Sequence, residues 1–256
     1  MKTNDILKEL EAYAPLEISR AFIAEGSHDN SGVIVDTGDE IRAAAFSLDL
    51  SLASVSFAAE RGCNLLITHH PAIYYPVSSL KADDPTGAAL IAAIRTGISV
   101  ISMHLNLDAA RDGIDESLAV ALGAQSTEIL HRVYGEYGYG RKFEIAETSF
   151  SAYLAQVRKM FGSERILGYG ADKKIKTVAS FCGGGAGDAA RNADVADLFV
   201  TSDAPHHVIK EIIERGKNLI LIPHYTAEEK GFSLFFNRVA PELGVPASYF
   251  KDERFC

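Results

Sequence analysis

Four histidines stand where apolar runs end. NLLITHH at 64–70 closes on His69 and His70, ISVISMH at 98–104 on His104, and NLILIPH at 218–224 on His224. Carboxylates follow two of these at a spacing of four, Asp108 after His104 and Glu228 after His224. Zinc, iron, manganese, cobalt and nickel all accept such nitrogen and oxygen donors. A single histidine beyond a strand is ordinarily a hydrogen-bonded surface residue. Three strand ends built alike point instead to a metal centre, with donors enough for two divalent ions. A structural zinc site more often uses cysteines and is closed, whereas a mixed histidine and carboxylate set leaves room for water. Metal ions acidify water enough for attack at neutral pH, so the chemistry expected is hydrolysis.

The spacings refine this. Neighbouring side chains on a strand point to opposite faces. His69 and His70 therefore suit one shared ion poorly while the strand is regular, but can splay toward two ions at its end, before Pro71. If PHYTAEE opens a helix, His224 and Glu228 share one face. A carboxylate there has two oxygens and can bridge ions about 3.5–4 Å apart. His104 and Asp108 have the same spacing, but the intervening LNL predicts an extended loop.

The elements that must deliver these residues read as alternating strands and helices. Residues 43–50, 65–68 and 98–103 are strand-like. Between them lie a helix capped by Ser51 and running to Glu60, and another capped by Thr86 and running to Arg95. Asp115 is the expected cap of a helix through Leu122. This rhythm predicts a parallel sheet with right-handed crossovers, whose strand C-termini are where ligands bind. Residues 133–142, VYGEYGYGRK, read as a boundary loop. A second α/β segment follows, with helices near 149–161 and 205–215 and strands at 177–182, 197–201 and 219–222. The expected division is a first α/β lobe over 1–125 and a second over 126–256, with 219–256 left free to pack on either.

Composition narrows the class. The chain has 256 residues, 47% hydrophobic, with a net charge of −9. That charge argues against a general nucleic-acid binder. No apolar stretch approaches the roughly 20 residues of a membrane helix. The start, MKTNDILKELEAYAP, lacks a signal peptide's apolar core and reads as a short amphipathic helix. Cys63, Cys182 and Cys256 are odd in number and widely spaced. They fit a reducing, cytoplasmic setting better than a disulfide framework.

The segments HDNSG (28–32), SLDLS (47–51), LLITHHP (65–71), MHLNLDAARDGIDESLA (103–119), CGGGAG (182–187) and PHYTAEEKG (223–231) together resemble the NIF-three-like dinuclear metal family. Its members carry the name type-two GTP cyclohydrolase I. The resemblance runs along nearly the whole chain and matches the compact form, without the long central insertion. It implies a fold of two α/β lobes with mainly parallel sheets and a metal site in the inter-lobe cleft. It implies that His69 and His224 serve one ion, His70 and Asp108 the other, with Glu228 bridging. His104 falls where some relatives have a histidine close to the metals. The resemblance also implies a homo-oligomer, a toroidal hexamer built as a trimer of dimers. A nucleotide is the small-molecule substrate it suggests, with hydrolytic opening of the guanine imidazole ring and release of formate. Two positions depart from the family: His28 stands where tryptophan is common, and Thr201, Ser202 and Asp203 replace a TGE-like segment.

In this reading Glu228 holds the ions together and His104 shuttles protons. The rival class is a non-catalytic metal-binding scaffold or regulatory interaction protein, and a third reading is metal storage. The turn at Gly183, Gly184, Gly185 and Gly187 matches no nucleotide fingerprint and reads as a tight turn. Asp29 and Asn30 suit either a turn or the orientation of a ligand imidazole. Asp49, at a strand end, can reach the same edge. His206 and His207 read as solvent-facing helix-start residues, and Tyr134, Tyr137 and Tyr139 as packing.

Overall fold

A computed structural model describes residues 1–255; Cys256 lies outside them. In chain order the elements are α1 (Thr3–Glu11), α2 (Leu16–Ala24), β1 (Gly32–Val35), β2 (Ala44–Ser47), α3 (Leu52–Glu60), β3 (Leu65–Thr68), α4 (Pro85–Arg95), β4 (Ser99–Ser102) and α5 (Leu105–Ala109). They continue as α6 (Ile114–Ala121), β5 (Glu128–Tyr134), β6 (Tyr137–Ser149), α7 (Phe150–Phe161), β7 (Leu167–Tyr169), β8 (Lys174–Ser180) and α8 (Ala186–Arg191). The last are β9 (Leu198–Thr201), α9 (His206–Glu214), β10 (Asn218–Leu221), α10 (His224–Val239) and β11 (Ala247–Phe250). The described chain forms two compact units, one of Met1–Arg111 with Phe232–Arg254, the other of Asp112–Gly231 with Phe255.

The first unit holds a five-stranded sheet in the order β1-β4-β3-β2-β11. Every pairing is parallel except that of β1 with β4. All four residues of β2, β3 and β4 are buried, as expected of parallel strands covered on both faces. Ser51 caps α3 as its sequence predicts, accepting a hydrogen bond from the Ser54 amide at 3.1 Å. The α4 cap is Asp84, not Thr86; Pro85 takes the first helical position, where its missing N–H costs nothing. The C-terminal chain returns here: β11 pairs with β2, and Phe46 packs against Phe232, Phe235 and Phe236 at centroid distances of 6.2, 6.4 and 5.1 Å.

The second unit holds a six-stranded sheet in the order β5-β6-β8-β9-β10-β7. Its centre, β8-β9-β10, is parallel, and the flanking pairings are antiparallel. The glycine- and tyrosine-rich stretch 133–142 is no boundary loop. It is the tip of the β5–β6 hairpin, which turns at Gly135. Nor does Asp115 cap a helix. Gly113 occupies that position, and Asp115 is buried beside Arg141, with Nη1 3.2 Å from Oδ2. Cys63 and Cys182 are buried. Among the described residues no helix is long and apolar enough to cross a membrane.

Candidate metal centre

Register explains why residues far apart in sequence meet in the first unit. Ser47 lies opposite Thr68, and Thr68 opposite Ser102. Two residues beyond each of these stand Asp49, His70 and His104, delivered to one sheet edge by parallel pairing alone. Backbone bonds fix the turn: the amides of His69 and His70 both donate to the Leu48 carbonyl, at 3.1 and 3.0 Å. Thr68 Oγ1 donates to the His70 carbonyl at 2.9 Å.

Each imidazole is held by its Nδ1. His69 donates to the Met103 carbonyl at 2.8 Å, His70 to Asp49 at 2.7 Å, and His104 to Asp29 at 2.7 Å. A carbonyl or carboxylate oxygen can only accept, so the proton sits on Nδ1 and the lone pair on Nε2. Metal-ligating histidines are oriented in this way. His69, His70 and His104 each offer a ring nitrogen, and these nitrogens lie within 4.8 Å of one another. Burial opposes ionisation of Asp29, but hydrogen bonds from His104, Ser19 and Ser31 outweigh it and hold the carboxyl at about 2. The segment between His104 and Asp108 is the short helix α5 rather than an extended loop. Buried Asn106, which donates to the Ala14 carbonyl at 2.8 Å, pins it.

The second unit repeats the pattern. His224 and Glu228 occupy the first turns of α10, one turn apart as the spacing predicts. His224 donates from Nδ1 to Asp203 at 2.5 Å, so its Nε2 carries the lone pair. Asp203 lies two residues past the end of β9, the same offset that places Asp49 past β2.

Two contacts test whether this donor set fits a metal. His69 Nε2 lies 3.4 Å from Asp108 Oδ1, and His224 Nε2 lies 3.0 Å from Glu228 Oε2. With Nδ1 already donating, each contact sets a nitrogen lone pair against a carboxylate oxygen. Such a pair calls for a positive charge between the two atoms, a proton or a metal ion. The donor set therefore fits a divalent cation.

Gly183 closes the Glu228 side. Its φ of +58° is in the left-handed region, and a Cβ there would lie 2.6 Å from Glu228 Oε1 and 3.4 Å from His224 Nε2. Gly183→Ala is therefore expected to displace the buried Glu228 carboxylate. Zinc affinity should fall roughly tenfold, the scale of orienting interactions around a metal. Chelator competition measures it; unchanged affinity would show that the carboxylate tolerates the methyl group. The tight-turn reading of this glycine segment thus holds, with a role in shaping the Glu228 environment that its spacing gave no sign of. His206 and His207 are exposed at the start of α9, and Tyr139 donates from its hydroxyl to the Cys182 carbonyl.

Two α/β units, each setting an anchored imidazole against a carboxylate, define an α/β protein with the side chains to hold metal ions. Residues 1–250 match the Duf34/NIF3 (NGG1p interacting factor 3) family, and the chain belongs to it. A Clostridium perfringens protein named GTP cyclohydrolase 1 type 2 homolog is 30% identical over 236 residues, covering 89% of this chain and 87% of its own. A Lactococcus lactis protein of the same name is 30% identical over 232 residues, covering 88% and 86%. Among solved structures, a Staphylococcus aureus hypothetical protein superposes with a TM-score of 0.87 at 24% identity, covering 98% of this chain and 97% of its own. A Bacillus cereus protein related to NIF3 gives 0.86 at 18% identity, covering 99% and 97%. Both share the fold.

Proposed function

We propose that this protein is a hydrolase dependent on two divalent metal ions. His69 and His224 would serve one ion and His70 and Asp108 the other, with Glu228 as the shared ligand. The observation that carries the reading is the twice-repeated opposition of an anchored Nε2 to a carboxylate oxygen, at 3.4 and 3.0 Å. Bound divalent ions would supply Lewis acidity and lower the pKa of water. The chain's own residues do the rest. Asp49, Asp203 and the Met103 carbonyl hold three imidazoles in the tautomer that presents Nε2. His104, partly exposed and backed by Asp29, is placed to take a proton at Nε2 and return it to a leaving nitrogen or oxygen, as a general base and then acid. Ionised Asp29 stabilises the imidazolium formed in between. The curated relatives' shared name suggests a purine nucleotide as substrate, opened at its five-membered ring with loss of formate.

The test is a panel of GTP, GMP, p-nitrophenyl phosphate and dihydrouracil with protein reconstituted in zinc, manganese or iron. Formate, phosphate or ring opening is the readout, and Glu228→Gln is the control. We expect turnover of at least one compound, reduced about 100-fold or more in Glu228→Gln. No turnover of any compound at full metal occupancy would defeat the hydrolase reading and favour a metal-binding scaffold.

A further inference from the structure

The segment after His70 carries more aromatic surface than packing demands. Tyr74 is 37% and Tyr75 65% exposed. His28 and Tyr75 are stacked, with centroids 4.5 Å apart and planes 23° apart. Tyr74 stands edge-on to both, at 4.8 Å from His28 and 4.7 Å from Tyr75. It is also edge-on to His104, at 5.9 Å and 88°. A corner of three rings therefore abuts a histidine of the cluster. A cavity of about 350 Å³ is lined by the same stretch, including Pro71, Ile73, Tyr74, Tyr75, Val77 and Leu80. That volume lies in the range of small-molecule sites, which are largely apolar with a few polar groups.

The corner is built in advance. His28 donates from Nε2 to the Tyr74 carbonyl at 2.5 Å, and the Tyr74 hydroxyl donates to the His28 carbonyl at 2.9 Å. Asn30 donates to the Ile73 carbonyl at 2.6 Å. Asp29, between the two clamping residues, holds His104. One tripeptide thus fixes the aromatic loop with its outer members and the His104 ring with its middle one.

We infer that Tyr75, backed by His28 and cornered by Tyr74, is a stacking wall for a planar nitrogen heterocycle bound beside the His69, His70 and His104 cluster. This rests on the reading of that cluster as the reacting site, and it specifies the substrate class. One face of the Tyr75 ring is taken by His28, and its high exposure leaves the other open. Aromatic faces stack on flat heterocycles with little demand on specific hydrogen bonds, and preorganisation by the clamp lowers the cost of binding.

Calorimetric titration of zinc-loaded protein with guanosine, and with ribose as the same sugar without the ring, tests it independently of turnover. Guanosine should bind at least tenfold more tightly than ribose. Tyr75→Leu keeps bulk but removes the flat face, and should weaken guanosine roughly tenfold. Tyr75→Phe should stay within about twofold, and both variants should keep their zinc by elemental analysis. The inference is overturned if Tyr75→Leu binds guanosine like the parent, if Tyr75→Phe is as weak as Tyr75→Leu, or if guanosine binds no better than ribose. A change in oligomeric state of Tyr75→Leu with unchanged guanosine binding also overturns it, since the ring would then serve an interface. Loss of ring binding with turnover intact, or the converse, separates failure of the wall from failure of the hydrolase reading.

Discussion

His70→Ala and His224→Ala are each expected to lower zinc affinity more than about 100-fold, and Asp49→Ala roughly tenfold. The ordering follows from position. Alanine at 70 or 224 removes the nitrogen that presents a lone pair, and no neighbouring side chain can reach in from the same backbone position. Alanine at 49 leaves the His70 nitrogen in place but frees its ring to rotate and to swap tautomers, because the 2.7 Å bond from Nδ1 is lost. Asp29→Ala frees the proton-shuttling His104 ring and no proposed ligand, so it should leave zinc affinity within about twofold. His131, on β5, supplies the control: His131→Ala should leave zinc content unchanged. Elemental analysis gives the stoichiometry and competition with a chromophoric chelator gives the affinity. Unchanged stoichiometry in both His70→Ala and His224→Ala would sink the ligand assignment. A fall in Asp49→Ala as large as in His70→Ala would mean that Asp49 is itself a ligand rather than an orienting group.

The strands that deliver these residues were legible because buried parallel strands write themselves as apolar runs, and the histidines stand at their ends. Less legible were the partners that anchor the rings. In sequence Asp29 suits a turn as well as the orientation of a ligand imidazole, Asp49 stands only near the same edge, and Asp203 stands out only as a departure from a family pattern. Their roles arise from register between strands or loops separated by many residues, which a local reading does not see. The failures at α5 and at 133–142 have the same origin. The short helix after His104 is pinned by Asn106 reaching Ala14, a contact 92 residues apart. The hairpin tolerates its glycines because a Cβ at Gly138 would lie 2.2 Å from the His131 carbonyl, and one at Gly140 2.5 Å from the Phe181 ring. Glycine there serves close packing between strands, while in sequence it reads as a turn signal.

Asp115 shows the same override with the largest energetic consequence. By propensity an aspartate before an apolar helical run is a cap. In the fold it is fully buried, receiving the Cys182 amide on Oδ1 at 3.1 Å and facing Arg141 across 3.2 Å. Arg141 is itself buried and donates to the Gly138 carbonyl at 2.7 Å. Arg141→Met is therefore expected to strand a buried carboxylate, at a cost of about 3–5 kcal/mol near neutral pH. In a protein of this size that lowers the thermal midpoint by roughly 10 °C. The pH dependence identifies the cause. Burial raises the Asp115 pKa from 3.8 to about 6, against the opposing pull of Arg141 and of the Cys182 and Gly140 amides. The folded state thus holds this proton more tightly than the unfolded chain. Its contribution to stability is complete below about pH 4 and is lost as pH rises through about 6. Without Arg141 the folded pKa climbs further, so the loss continues to higher pH. The deficit of Arg141→Met should consequently be small at pH 5, where the carboxyl is largely protonated in both proteins, and greatest at pH 8. Asp115→Asn added to Arg141→Met removes the stranded charge while keeping an acceptor for the Cys182 amide, and should recover most of the midpoint at pH 8. Equal deficits at pH 5 and pH 8, or no recovery in the double variant, would show that Arg141 stabilises by packing and by its bond to Gly138 rather than by neutralising Asp115. The pair matters beyond stability, because Cys182 leads directly into Gly183. The same carboxylate that needs Arg141 therefore fixes the turn against which Glu228 rests.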